Sequence, residues 1–285
     1  MGILRDRMEA DLKIGNYSEA TRTRYLYYAE QFAVYHWRSP AEMGRDEVRE
    51  WLVYLIDRRR YRAATVKVAR SALVFLYQRT LGREFELEHL PIPRQGRRLP
   101  EVLSGVEVER LLGLFRKPKY RAIVMSMYGG GLRISEACSL RPEQIDSKRM
   151  LIRLRGKGDK ERYTLLPQRL LDSLRDYWRA ERPKGDWLFP GRGKQGHLTR
   201  SSVEKALRKV VGEAGFAKRV TSHTLRHSCA THLKELGTPL SDIQALLGHS
   251  HLRSTETYLH TSRVALARVK SPLDVLGTPA ATILG

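Results

Sequence analysis

Apolar residues in the first eighty positions recur at the three-to-four residue spacing of helices that bury one face. Three stripes of this kind predict three helices. One begins after Ser18, a residue type that caps helix starts, the second is centred on Trp51, and the third runs from about Ala63 to Gly82. The aromatic residues of these stripes are predicted to form a helical core: Tyr25, Tyr28, Phe32, Trp51 and Tyr77.

The periodic pattern stops in the segment Leu90–Pro100, where three prolines and a glycine break regular structure. We therefore expect an N-terminal domain over residues 1–90, a linker over 91–100 and a second domain over 101–285. Helix signals resume at once, because Ser104 and Glu107 have the spacing of a capping box.

The spacing of apolar residues then shortens to the two-residue alternation that is typical of strands. Met150–Leu154 and Arg162–Leu166 are strand-like runs around a Gly-Lys-Gly turn, which predicts a β-hairpin with a basic tip. Helical spacing returns afterwards, at about Leu170–Arg182, Ser201–Ala214, Thr224–Leu236, Ser241–Leu247 and Ser254–His260. The fold class predicted is mainly α, with a helical N-terminal domain and a C-terminal mixed α/β domain that contains a small antiparallel sheet.

Composition adds a partner class to this picture. The chain of 285 residues is 41% hydrophobic, enough for packed cores, yet its formal net charge is +21. Residues 1–99 hold 19 basic and 13 acidic side chains, and residues 100–285 hold 33 and 18, so both parts are basic. A folded protein with such a charge is expected to bind a polyanion, either nucleic acid or an acidic membrane surface.

Other classes are disfavoured. The longest apolar runs, Trp51–Ile56 and Ala72–Tyr77, fall far short of the ~18 residues that a membrane span needs. The N-terminus has no apolar signal segment, and the two isolated cysteines, Cys138 and Cys229, predict neither a disulfide framework nor a cysteine zinc site. We therefore expect a cytoplasmic protein without a membrane-spanning segment.

Several basic residues are candidates for contacts with a DNA backbone. One cluster lies between the second and third predicted helices, a second lies in the linker, and one lysine lies in the hairpin. A solvated helix end explains the first cluster equally well, and both interpretations stay open. The candidates are Arg58, Arg59, Arg60, Arg62, Arg94, Arg97, Arg98 and Lys160.

Chemistry-bearing residues concentrate in the second domain. Six of the nine histidines lie between residues 223 and 260, together with Tyr258. Four segments stand out: Gly-Leu-Arg-Ile-Ser-Glu at 131–136, Gly-Lys-Gly at 156–158, His-Thr-Leu-Arg-His at 223–227, and Leu-Gly-His at 247–249, which Tyr258 follows nine residues later.

Phosphoryl transfer without a metal accounts for this mixture. Two guanidiniums, Arg133 and Arg226, would neutralise the oxygens of a phosphodiester transition state. A phenol made reactive by nearby cations would attack the phosphorus. A lysine on the hairpin tip would protonate the leaving alkoxide, and imidazoles would hydrogen-bond the phosphate and move protons.

In type, order and spacing these segments resemble the tyrosine recombinases, the phage integrase family, in its Xer-like branch, over nearly the whole chain. The resemblance implies an N-terminal SAM-like core-binding domain and a catalytic domain. It implies that Tyr258 attacks the scissile phosphate to form a 3′-phosphotyrosyl link, and that no metal or cofactor is needed. The other residues implied are Arg133 and Arg226 as the phosphate clamp, Lys157 as general acid, His223 and His249 at the phosphate, and Glu136 as support.

The same resemblance implies the partners. These are double-stranded DNA with specific recombination sites, which implies a location at the nucleoid and no membrane partner, and three further copies of the chain. The four copies would form a homotetramer with exchanged C-terminal segments and exchange strands through a Holliday junction. The tail Lys270–Asp274 is similar to that of integron integrases. However, Phe189–Thr221 leaves no room for the helix that this branch inserts, so ordinary duplex sites are expected.

Three other functions fit part of this residue pattern. A type IB topoisomerase uses a similar residue set, but the compact helical N-terminal part disfavours it. A non-catalytic DNA-binding regulator would lack some of these groups, and none is missing. A metal hydrolase built on His223, His227 and His249 lacks the glutamate of the His-Glu-x-x-His motif.

Overall fold

The computed structural model describes residues 2–83, 101–155, 161–192, 195–248, 271–274 and 276. The chain divides into two compact units, residues 1–98 and 99–285. The predicted linker, with Arg94, Arg97 and Arg98, lies outside the described residues. No helix in the described ranges is both long enough and apolar enough to cross a membrane.

The first unit is helical. Its helices are α1 (Gly2–Ile14), α2 (Glu19–His36), α3 (Arg45–Asp57) and α4 (Ala63–Phe75), and the chain continues from α4 through a π-helical turn, Leu76–Thr80. The predicted cap is confirmed, because the Ser18 hydroxyl accepts a hydrogen bond from the Thr21 N–H. The sequence did not predict α1, in which Met8 and Leu12 are the buried residues.

Aromatic side chains fill the centre of this unit. Phe32, Trp51 and Tyr77 are buried, as predicted, whereas Tyr25 and Tyr28 are only half-buried at its edge. The Tyr77 hydroxyl donates a hydrogen bond of 3.0 Å to the carbonyl of Pro40, which satisfies the phenol in the core. Four of the predicted DNA-contact residues, Arg58, Arg59, Arg60 and Arg62, are exposed around the turn between α3 and α4.

The second unit carries seven α-helices in its described part. They are α5 (Gly105–Gly113), α6 (Pro118–Gly129), α7 (Ile134–Cys138), α8 (Gln168–Glu181), α9 (Arg200–Glu213), α10 (Ser222–Glu235) and α11 (Leu240–Leu247). The Ser104–Glu107 capping box is confirmed by hydrogen bonds of 3.2 and 2.7 Å. The predicted helix Ser254–His260 lies outside the described residues. In the described part of Phe189–Thr221 the structure has one α-helix, α9.

A small sheet completes this unit. Strands β1 (Ile145–Asp146), β2 (Leu151–Arg155) and β3 (Glu161–Leu165) pair antiparallel in that order, with Ile152 opposite Thr164. The predicted hairpin is therefore β2–β3, and its turn, with Lys157 and Lys160, lies outside the described residues. The predicted fold class, mainly helical with a small antiparallel sheet, is confirmed.

The core of the second unit is organised around α6, which is buried from Ala122 to Gly129 and packs against α8 and α10. Because α6 ends at Gly129 and is followed by Gly130 and Gly131, the chain that leaves this core can approach neighbouring elements closely. A Cβ at Gly131, whose φ is +62°, would lie 2.6 Å from Leu247 Cδ2. The residues that follow the buried helix, which include Arg133, therefore lie directly against α11.

The tail segment Ser271–Asp274 packs on its own chain. Leu273 is fully buried against Gly129, and the Ser271 hydroxyl donates to the Gly129 carbonyl at 3.1 Å. Asp274 accepts hydrogen bonds of 3.1 Å from the N–H groups of Gln168 and Arg169, which begin α8. Exchange of the C-terminal segment between protomers stays a prediction.

Candidate active site

Arg133 stands at the start of α7, directly after the glycine turn. Its backbone N–H donates to Glu136 Oε2 at 2.7 Å, and its guanidinium donates to Glu136 Oε1 at 2.9 Å. Glu136 therefore caps the start of α7 and also fixes the Arg133 side chain. These two contacts explain why the glutamate lies three residues after the arginine. A second guanidinium nitrogen of Arg133 donates to the carbonyl of Gly248 at 2.7 Å.

Arg226 reaches the same place from α10. This helix begins after Thr221, whose hydroxyl accepts a hydrogen bond of 3.1 Å from the Thr224 N–H. His223 is exposed in the first turn, whereas Arg226, one turn later, is buried. Its guanidinium donates to the carbonyls of Gly131 and Leu247, and it lies 4.0 Å from Glu136.

A third arginine, Arg162 on β3, was not singled out from the sequence. Its two terminal nitrogens donate to the two oxygens of Glu136 at 2.8 and 2.9 Å, and its Nε donates to the carbonyl of Leu246 at 3.2 Å. Arg162 could have been recognised from the alternation of side chains between the two faces of a strand. Arg162 shares a face of β3 with the buried Thr164, so a cation there must have a partner inside the fold.

Glu136 is the negative centre of this cluster. Burial opposes ionisation of its carboxyl, but the hydrogen bonds and charge of Arg162, followed by the hydrogen bonds of Arg133, outweigh burial and lower the pKa to about 2. Glu136 therefore stays ionised at neutral pH and holds two arginine side chains in fixed directions.

Positive charge exceeds negative charge at the site, because three guanidiniums surround one carboxylate. Burial, and then repulsion from Arg133, lower the pKa of Arg226 to about 10, so it remains protonated at neutral pH. The contacts given above use two of the five N–H groups on each of Arg133 and Arg226. The N–H groups that remain make the site suited to an anion with several oxygens, such as a phosphodiester.

The carboxyl end of α11 is held by all three arginines. The carbonyls of Leu246, Leu247 and Gly248 accept hydrogen bonds from Arg162, Arg226 and Arg133, respectively. A helix carboxyl end carries partial negative charge, so cations are favourable there. The cluster fixes the point at which the chain leaves α11 toward His249, the next residue.

The structure thus brings together Arg133, Glu136 and Arg226 among the predicted site residues, with His223 one turn from Arg226. Lys157, His249 and Tyr258 lie outside the described residues. In the part of the chain that is described, no group of three His, Cys, Asp or Glu side chains could hold a metal ion.

Comparisons with known proteins identify the family of the chain. Residues 101–264 match the phage integrase family, and residues 4–87 match the phage integrase N-terminal SAM-like domain. The chain is similar to tyrosine recombinase XerC of Syntrophus aciditrophicus, with 34% identity over 278 residues, 87% of this chain and 89% of that protein.

Two further similarities extend over most of the chain. An integrase/recombinase of Escherichia coli is 32% identical over 314 residues, 95% of this chain and 93% of that protein. Among solved structures, the XerH site-specific recombinase bound to a palindromic difH substrate in a post-cleavage complex is 25% identical. Its TM-score is 0.64, with 89% of this chain and 76% of that chain covered.

Proposed function

Because the chain belongs to the phage integrase family and is a site-specific tyrosine recombinase of the Xer-like branch, we propose that it exchanges DNA strands through a 3′-phosphotyrosyl intermediate on Tyr258 and a Holliday junction. The observation that carries the proposal is the convergence of Arg133 and Arg226, from α7 and α10, on one anion-suited site whose orientation Glu136 maintains.

The cleavage step balances without a cofactor. The Tyr258 oxygen attacks the scissile phosphorus while the bond from phosphorus to the 5′-oxygen breaks, and Lys157 supplies the proton that the leaving 5′-hydroxyl needs. Arg133 and Arg226 hydrogen-bond the non-bridging oxygens, on which charge develops. His223 and His249 hydrogen-bond the same phosphate and take part in the transfer of the tyrosine proton.

Strand exchange is the reverse step with a different hydroxyl. A 5′-hydroxyl from the partner DNA attacks the phosphotyrosyl phosphorus and releases Tyr258, so the phosphodiester energy is conserved. Two DNA sites and four active sites are needed for two rounds of exchange, which supports a homotetramer on DNA with exchanged C-terminal segments. The exposed arginines between α3 and α4 would contact the flanking phosphates.

A nicked suicide site tests this chemistry, because cleavage releases a short strand and traps the covalent complex. The wild-type protein is expected to form a protein–DNA adduct on a denaturing gel, and Tyr258→Phe is expected to form none. Tyr27→Phe, which removes an exposed phenol from the first unit, is the matched control and should react like the wild type. An adduct that survives Tyr258→Phe would contradict the assignment of the nucleophile.

A further inference from the structure

Arg162 bonds two separate parts of the candidate site with one planar group. Its terminal nitrogens hold both oxygens of Glu136, and its Nε holds the carbonyl of Leu246 at the end of α11. The side chain is 14% exposed, against 41% for Arg133. All three of its nitrogens therefore donate to protein acceptors, and the residue is poorly placed to receive a phosphate itself.

We propose that Arg162 is a positioning residue for DNA cleavage, which sets the carboxyl end of α11 against the Glu136 carboxylate and so places His249 and Arg133 relative to each other. The inference rests on the recombinase chemistry proposed above. It assigns to a strand residue the task of joining the two segments that carry phosphate-binding groups.

The fit between Arg162 and Gly248 supports this role independently. Gly248 ends α11 with a φ of +60°, and a Cβ added there would lie 2.9 Å from both Cδ and Nε of Arg162. Only a glycine allows the arginine side chain to pass beneath the helix end in this way. The glycine of the Leu-Gly-His segment and the strand arginine are thus matched parts of one contact.

The strand makes Arg162 a rigid support. On the same face of β3, the Thr164 hydroxyl donates to the Gly130 carbonyl at 2.7 Å, so alternate residues of the strand hold the glycine turn and the end of α11. Because β3 is paired with β2 along its whole length, these two attachments cannot move independently. Placement errors of about 1 Å in such supports can slow catalysis by about 100-fold.

Substitutions of Arg162 can separate the effect of its hydrogen-bond geometry from the effect of its positive charge. A lysine would preserve the positive charge at position 162, but a single ammonium cannot reproduce a planar fork on Glu136 together with a bond to Leu246. Arg162→Lys and Arg162→Met should therefore both slow adduct formation in a single turnover, by about 100-fold, while DNA affinity and its salt dependence stay close to wild type. Arg175→Met is the matched control, because Arg175 forms an exposed ion pair with Asp172 on α8.

A substrate with a 5′-bridging phosphorothiolate separates Arg162 from its neighbour Lys157. The sulfur leaves without a proton, so this substrate should rescue Lys157→Ala, whereas Arg162→Met should remain slow on it. Rescue of Arg162→Met would overturn the proposal, because it would show that the residue acts on the leaving group through the hairpin.

The outcomes are distinguishable. Cleavage by Arg162→Lys at the wild-type rate would overturn the proposal, since charge alone would then suffice. If Arg162→Met fails to fold by circular dichroism, the lysine variant carries the test. The proposal is supported if the wild type and Arg175→Met cleave at similar rates while the Arg162 variants are slow. Absence of a Tyr258-dependent adduct in the wild type itself would instead contradict the recombinase chemistry, and this proposal with it.

Discussion

The guanidinium of Arg133 donates a hydrogen bond of 2.7 Å to the carbonyl of Gly248. This contact joins the first phosphate-clamp candidate to the residue that directly precedes His249. Two of the four motifs recognised along the chain, separated by more than a hundred residues, are therefore one structural unit. A substitution at Arg133 or at Gly248 should therefore alter the position of the other residue.

Gly248→Ala tests the close packing at this point. The substitution adds a Cβ 2.9 Å from Arg162 and imposes a left-handed backbone on alanine, so we expect a stability loss of about 1–3 kcal/mol and strongly reduced cleavage. Gly215→Ala is the matched control. Its φ of +62° is nearly the same, but its Cβ would meet nothing within 4 Å, so it should be destabilised without loss of cleavage per folded molecule. Equal effects of the two variants on cleavage would show that backbone strain alone is responsible.

The division of the positive charge between chemistry and DNA binding is tested by Arg133→Ala. This variant should lose cleavage while it keeps most of its DNA affinity, because the remaining cations still contact the duplex. Binding should weaken with salt at a log–log slope of about −0.9 per phosphate contacted, in wild type and variant alike. Arg149→Ala, which removes an exposed arginine paired with Asp146, is the control. A collapse of binding in Arg133→Ala equal to its loss of cleavage would contradict the division.

Glu136 should make stability depend on pH in a defined direction. Its pKa is about 2 in the folded chain, below the unfolded value, so its contribution is present above about pH 4.5 and is lost as pH falls toward 2. Glu136→Gln should lower the free energy of unfolding by up to about 3 kcal/mol at pH 7, and by less at pH 3.

Chemical denaturation at several pH values, followed by circular dichroism, measures this difference. The control is Glu213→Gln, because Glu213 forms only an exposed pair with Lys209 at 3.7 Å. A difference between wild type and Glu136→Gln that stays constant from pH 7 to pH 3 would rule out a depressed pKa for Glu136.

The sequence predicted most of this architecture, and the exceptions have physical reasons. Capping residues such as Ser18 and Ser104 mark the starts of helices directly. The helix α1 buries only Met8 and Leu12, so its apolar residues do not form a periodic pattern strong enough to predict it. The helix α7 has five residues, fewer than two turns, so periodicity cannot mark it. Motif order led to Arg133, Glu136 and Arg226, but the partners of Arg162 depend on tertiary packing that no local pattern reports.

Leu273→Ala tests whether the tail segment contributes to the stability of the second unit. The side chain is fully buried against Gly129, so its truncation should cost about 2–5 kcal/mol, measured as a lower free energy of unfolding. Leu240→Ala, at a side chain that is 63% exposed, is the control and should cost far less. A negligible effect of Leu273→Ala would show that the tail does not pack on its own chain in solution.

Mass spectrometry of the trapped adduct tests most directly whether Tyr258 becomes covalently joined to DNA. Digestion with nuclease and trypsin leaves a nucleotide remnant on one peptide, and cleavage after Arg253 and Arg263 gives a peptide whose single tyrosine is Tyr258. We predict that fragmentation places the remnant on that tyrosine. A remnant on a serine, a histidine or a different tyrosine would contradict the assignment of Tyr258 as the nucleophile.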